Sequence, residues 1–302
     1  MNNRIVVANQ KGGVAKTTTA VNLASSLGQF GKKILLIDLD PQANATSGIG
    51  VDKSKVSKSI YDVLIGEGDI EAIVIDTPSP NVRLAPANLA LVGAEIELVH
   101  APRREFRLAD SINRNASINQ YEFIIIDTPP SLGLLTVNAF TAAGSVLIPM
   151  QCEYYALEGL AQLYQTVQLV RQKSNPALHI EGLVFSMVDM RANLTVQVMN
   201  EVKNILKDKV YESIIPRNVR LAEAPSFGKP IAAYDRHSKG AEAYENLAKE
   251  FLKRHSQTLS PSRERTGEAP GEGQAAETTP SPAVVAAEPL LPVGGDGERS
   301  SG

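Results

Sequence analysis

Residues 10–19 read QKGGVAKTTT and hold the densest chemistry in the sequence. Lys16 and Thr17 fill the last two positions of the phosphate-binding pattern G-x-x-x-x-G-K-[ST], but Gln10 and Ala15 stand where its glycines belong. In exchange, a second lysine, Lys11, directly precedes Gly12 and Gly13. An apolar run, RIVVA (4–8), lies before the loop and a helix-like stretch follows from residue 16, which is the strand–loop–helix context a phosphate loop requires. Backbone N–H groups of loop 9–15, those of Val14 and Ala15 among them, then join the helix N-terminus as an anion cradle. Gly12 and Gly13 let the backbone approach phosphate oxygens with no Cβ in the way. Lys16 supplies the cation for β- and γ-phosphates, Thr17 a hydroxyl ligand for Mg²⁺, and Thr18 a hydrogen bond to the α-phosphate. Ala15 leaves one question open. A positive φ there would cost a methyl-bearing residue about 1 kcal/mol or more, and a negative φ would cost nothing.

Carboxylates complete the pattern. LLIDLDPQ places Asp38 and Asp40 at the end of one apolar run, and FIIIDTPPS places Asp127 at the end of another. An acidic residue at such a strand end suits the metal-supporting role of phosphoryl-transfer sites. IVIDTPSP around Asp76 competes for that role. Asp127 is preferred because the helix-like SLGLLTVNAF follows it, while Asp76 has no clear helix after it and is expected in a loop.

The elements that must position these groups are short β-branched runs at 4–8, 33–38, 122–127, 145–150 and 180–188. They alternate with helix-like stretches at 16–30, 105–119, 132–142, 156–174, 192–208 and 237–254. Nearly continuous apolar strands suit a parallel sheet covered on both faces. The order predicts an α/β fold, a doubly wound, mostly parallel sheet with helices on both faces. Ligands in such sheets bind beyond the carboxyl ends of the strands, where all the motifs above fall. The predicted organisation is one domain over 1–255 and a disordered, acidic, Pro/Gly-rich tail over 256–302. That tail holds six of the 18 prolines and seven of the 22 glycines with no aromatic residue, too little apolar surface to offset its ordering entropy.

The formal charge of -3 is uneven: the tail carries seven acidic and three basic residues, and residues 1–255 carry 27 basic and 26 acidic. A near-neutral domain binds nucleic acid only through a local patch. Cys152 is the only cysteine, which excludes an intramolecular disulfide framework and an all-cysteine metal site within one chain. The N-terminal apolar run is too short for a signal peptide or membrane helix, so a cytoplasmic protein is expected.

Five blocks, KGGVAKTTTAVNLASSLG, ILLIDLDPQANATSG, FIIIDTPPSLGLLTVNA, PMQCEYYALEGL and IPRNVRLAEAPSFGKPI, together resemble the ParA/Soj ATPases that partition chromosomes and plasmids. The resemblance spans residues 1–255 and implies a P-loop NTPase fold, ATP and Mg²⁺. It implies that Lys11 reaches across a homodimer interface to the partner's nucleotide and that Asp40 positions the attacking water. It further implies that Asp38 supports the metal shell and that Pro216 and Asn218 line the adenine pocket. Slow, partner-stimulated hydrolysis, non-specific binding of double-stranded DNA on the nucleoid and a ParB-type centromere-binding partner are expected on the same ground. Arg191, Arg217 and Arg220 fall where the resemblance puts DNA contacts, and Lys203, Lys207, Arg236 and Lys239 are candidates to extend that patch. Ala15 departs from the family's usual glycine and puts the hydrolysis rate in question.

Three alternatives share the loop. A MinD-like membrane-associated positioning ATPase would end in a basic amphipathic helix, whereas this chain ends in an acidic tail. An iron–sulfur ATPase needs more thiolates than a dimer of single-cysteine chains supplies. A non-hydrolysing, nucleotide-locked scaffold differs from the first reading only in turnover. No helix-turn-helix segment precedes RIVVANQKGG, so sequence-specific DNA binding is not expected.

Overall fold

The computed structural model describes residues 3–258 apart from residue 154, and the expected tail lies outside the described residues but for its first three positions. Seven strands form a single sheet: β1 (Arg4–Val7), β2 (Ile34–Asp38), β3 (Ile75–Asp76), β4 (Val82–Ala85), β5 (Phe123–Asp127), β6 (Ser145–Met150) and β7 (His179–Phe185), in the spatial order β3-β4-β2-β5-β1-β6-β7. Every neighbouring pair is parallel except β3 with β4.

The continuous apolar runs follow from burial on both faces. Along β1, Ile5 and Val7 face one layer while Val6 faces the other; Ile34 and Leu36 alternate in the same way with Leu35 and Ile37 along β2. The first layer holds the helices Lys16–Gln29 and Lys239–Thr258, which bring Leu23, Leu27, Leu247 and Phe251. The second holds the helices Arg107–Arg114, Leu134–Ala142, Ala156–Lys173 and Asn193–Leu206. This is the doubly wound α/β architecture the sequence predicts. The last helix runs three residues past the predicted end of the domain.

Three local expectations change. The predicted helix 105–119 is interrupted: a 3-10 turn at Arg104–Phe106 leads into Arg107–Arg114, and a second 3-10 turn covers Ala116–Gln120. The break is at Asn115, whose backbone is extended and whose side-chain amide donates to Ser111 O at 2.8 Å, the competition with the backbone that makes asparagine a poor helix former. Strand β4 is additional. Its four residues include Arg83 and are too few to show a period. Asp76 is a strand residue rather than a loop residue, in the two-residue antiparallel edge pair, with its exposed carboxylate 2.9 Å from Arg83 Nε. Two strands, β4 and β2, separate it from β5, so it takes no part in the site of Asp127.

The first helix is held unusually close to the turn before β4. A Cβ on Gly28 would lie 2.2 Å from Pro80 O and 2.9 Å from Val82 Cγ2. Gly28→Ala is therefore expected to lower stability by about 2 kcal/mol or more, since neither a backbone carbonyl nor a strand residue can yield cheaply. Urea unfolding of the variant against the native chain measures this.

Candidate functional site

The carboxyl ends of β1, β2, β5, β6 and β7 converge on the loop between Val7 and Lys16. Ala15 lies in the left-handed region (φ 66, ψ 32) and opens the helix, with Thr19 N donating to Ala15 O at 2.8 Å. The open question is thereby answered: alanine occupies a conformation that glycine adopts without strain, at a cost of about 1 kcal/mol. Gly13 has φ 75, and Gly12 and Gly13 are exposed at the mouth of the loop.

Three polar side chains that sequence reasoning missed staple this loop. Asn9 accepts from Lys11 N at 3.0 Å and donates to Pro149 O at 2.8 Å. Gln151 donates to Gly13 O at 2.8 Å, and the buried Ser186 hydroxyl donates to Val14 O at 2.9 Å. Each is a polar residue following or ending an apolar strand run, and that position was the available signal.

The two lysines part company. Lys16 is buried and its ammonium donates to Lys11 O at 3.0 Å, folding back over the loop. Burial lowers its pKa, with Asp127 and Asp40 opposing. Lys11 is exposed and its ammonium pairs with Glu153, outside the loop it belongs to.

Asp38 and Asp127 sit opposite each other in register on β2 and β5, both fully buried. The Asp38 carboxylate is saturated: one oxygen accepts from Asp40 N at 3.1 Å, the other from Thr46 N at 2.7 Å and Thr46 Oγ1 at 2.8 Å. Among the described residues no hydrogen bond of normal geometry reaches either Asp127 oxygen, although the Thr17 hydroxyl is near enough to favour the ionised form. Burial first, then the charge of Asp38, pushes Asp127 well above the usual carboxylate range, with the Thr17 hydroxyl and Lys16 among the opposing influences. Burial likewise raises Asp38, against its hydrogen bonds. Asp40 is buried, and one of its oxygens accepts from Gln42 N at 2.9 Å.

A fully buried carboxylate with no normal hydrogen bond on either oxygen, beside Thr17 and Lys16, fits a divalent cation, which would supply the missing positive charge. Among the described residues no cluster of three or more His, Cys, Asp or Glu side chains forms a metal cage. That suits Mg²⁺, which is usually shared between one or two protein groups, phosphate oxygens and water.

A cavity of about 250 Å³ opens beside the loop, with Thr17, Thr18, Asn22, Asn44, Ser47 and Pro225 in its wall. Ala224, Pro225 and Lys229 also line this cavity, and Pro216 and Asn218, the residues expected to line the adenine pocket, do not. Pro216 instead bridges Val188, and Asn218 caps the helix Val219–Glu223 by accepting from Leu221 N at 3.3 Å.

The same bridge sets Arg217 beside the segment that carries Arg191, with Arg217 N donating to Val188 O at 3.1 Å, and Arg220 lies on the helix that follows, Val219–Glu223. Arg191, Arg217 and Arg220 are all exposed. Arg191 grips Asp189 through Nε at 2.8 Å and Nη2 at 2.6 Å, which holds that carboxyl well below its usual range, with Arg217 adding a smaller pull. Arg220 pairs with Glu223 at 3.0 Å and Asp235 at 3.5 Å. Lys203, Lys207, Arg236 and Lys239 are exposed as well. Cys152 is half-buried, and burial pushes its thiol up to about 11. No helix among the described residues is long and apolar enough to cross a membrane.

A phosphate loop at the carboxyl edge of a doubly wound parallel sheet, with a buried acidic residue on the adjacent strand, defines the P-loop NTPase fold. A family model described as an AAA domain matches residues 2–180. The sporulation initiation inhibitor protein Soj of Bacillus subtilis is 55% identical over 246 residues, 82% of this chain and 96% of that protein. The chromosome partitioning protein ParA of Myxococcus xanthus is 52% identical over 250 residues, 83% of this chain and 88% of that one. A Mycobacterium smegmatis structure described as cobyrinic acid a,c-diamide synthase, with a bound ATP analog and magnesium, superposes with a TM-score of 0.74 at 34% identity, covering 85% of this chain and 97% of that one. The chain belongs to the ParA/Soj family of partition ATPases.

Proposed function

We propose that this chain is a nucleotide-controlled DNA-binding switch. It hydrolyses ATP to ADP and phosphate with Mg²⁺ and partitions a chromosome or plasmid with a ParB-type centromere-binding protein. The observation that carries the proposal is the division of labour between the lysines. Lys16 closes over its own loop beside Asp127, while Lys11 stands outside it on Glu153. A cation at the mouth of the loop, held by Glu153 away from its own cradle, would serve a second subunit on leaving that pair. The homodimer would thus form on ATP.

In this reading Gly12 to Thr18 bind the phosphates, and Lys16 neutralises the charge that builds on the transferred group. Thr17 and Asp127 would hold Mg²⁺, which supplies charge neutralisation when bound. Asp38 keeps Asp40 in place through the Asp40 N–H, and Asp40 orients the attacking water. Pro216 and Asn218 remain proposed base contacts. Arg191, Arg217 and Arg220 bind DNA phosphates without reading sequence. A cytoplasmic, nucleoid-associated protein follows, and its relatives carry chromosome-partitioning names.

The test is duplex DNA affinity measured with ATP and with ADP across a salt series. A monomer offers few phosphate contacts, and dimerisation doubles them in fixed register. Affinity is expected to rise steeply with ATP and the salt slope to roughly double, as counterion release of about 0.9 per neutralised phosphate requires. Arg191→Ala and Arg220→Ala should weaken binding to all sequences alike and leave ATP binding intact. Equal affinities in the two nucleotide states overturn the switch.

A further inference from the structure

The conformation of the loop poses a problem that Lys16 and the glycines do not solve. Ala15 is held at φ 66, where a residue with a Cβ is strained, so something outside the loop must over-determine it. Among the described residues, two side chains outside the loop donate to its central carbonyls: Ser186 to Val14 O at 2.9 Å, and Gln151 to Gly13 O at 2.8 Å. In a trans peptide the C=O and the following N–H point in opposite directions. Fixing Val14 O on Ser186, the residue that follows β7, therefore aims the Ala15 N–H the other way, away from Ser186. Fixing Gly13 O aims the Val14 N–H likewise. Two successive carbonyls turned out leave two successive N–H groups turned in, which is the form of an anion-binding nest. The two clamps differ in kind. Gln151 is on the exposed side, whereas Ser186 and Val14 are both buried, 0% and 2% exposed, where no water can replace the hydroxyl.

We propose that Ser186 is the positioning residue of the phosphate cradle: its hydroxyl holds the strained Val14–Ala15 peptide in the orientation that presents N–H groups to nucleotide phosphates. Ser186 touches no substrate and acts through the loop. The inference rests on the nucleotide-site reading above and adds to it a residue outside the P-loop motif. It also accounts for an alanine at position 15, since a clamp on the preceding carbonyl offsets a strain the loop would otherwise relax by flipping that peptide.

The test is titration of the full chain with a fluorescent ATP analogue and with ADP, alongside KM, kcat and thermal melting. Ser186→Ala is expected to weaken nucleotide binding about tenfold and to raise KM in step, with kcat at saturation changed less than threefold. Ser186→Thr, which keeps the hydroxyl, should restore affinity. Ala15→Gly, which removes the strain, should recover at least half of the loss when combined with Ser186→Ala. If Ser186→Ala does not fold, Ser186→Cys, of similar size and a weaker donor, takes its place with the same expectation. A lower melting temperature with unchanged nucleotide affinity makes Ser186 a packing residue and overturns the proposal, as does failure of Ser186→Thr to restore binding. Lys16→Ala separates the two levels. Affinity lost there but not in Ser186→Ala sinks the role of Ser186 alone, and affinity kept in both sinks the nucleotide site itself.

Discussion

Lys16→Ala is expected to abolish measurable ATP binding, a loss of about a hundredfold or more, near 3 kcal/mol. Its ammonium is buried, bonded to Lys11 O, and close enough to Asp127 and Asp40 for both to oppose the effect of burial on its pKa. Removal leaves the buried Asp127 and Asp40 beside an incoming polyphosphate without the lysine that acts on both. Like charges at close range in a poorly solvated site are strongly repulsive. Lys11→Ala is expected to behave differently. Its side chain leaves the loop for Glu153, so its removal should spare ATP binding and prevent dimer formation. Light scattering with ATP and with ADP reads both variants at once. Normal dimerisation of Lys11→Ala with ATP would mean that the lysine does not act across an interface.

Asp40→Ala should bind ATP, dimerise and then stay dimeric. Asp40 is fixed at two main-chain points and one on its side chain: its N–H on Asp38, its carbonyl accepting from Ala43 N, and Gln42 N on its carboxylate. The other carboxylate oxygen takes no hydrogen bond among the described residues, and that oxygen is the one available to a water. Loss of a group that orients or deprotonates the nucleophile costs roughly 100-fold or more in turnover. Phosphate release should fall by that factor while DNA binding with ATP persists. Turnover at the native rate in this variant removes Asp40 from the mechanism.

Much of this was legible in the sequence, for reasons that can be named. The strands that carry the site are buried on both faces, β7 in its second half only, so they announce themselves as apolar runs, and their ends point to the loop, to Asp38 and to Asp127. Strand β4 could not be read that way, since four residues with Arg83 among them have no period. The interruption at Asn115 depends on a side-chain bond to Ser111 that propensity alone does not foretell. Within the site, the motif residues were legible because their spacing is local. Asn9, Gln151 and Ser186 were not, because each makes its contact across a separation of about 140 residues or more, or from outside the motif pattern. The sign of φ at Ala15 was undecidable from sequence, since alanine fits either hand of backbone at different cost and only the path of the chain selects one.

Two of the three candidate arginines near β7 are already spoken for. Arg191 is gripped at two nitrogens by Asp189, and Arg220 is shared between Glu223 and Asp235. A DNA phosphate that recruits such an arginine must displace a carboxylate, and the displaced carboxylate then gathers a cation of its own from solution. Binding becomes an exchange of anions around a fixed guanidinium, so each of these arginines should contribute less to the salt slope than a bare one would. If this surface binds DNA as proposed, its affinity is set by the acids as much as by the bases, and a neutral residue at Asp189 is expected to tighten the grip on DNA in both nucleotide states without adding a single positive charge.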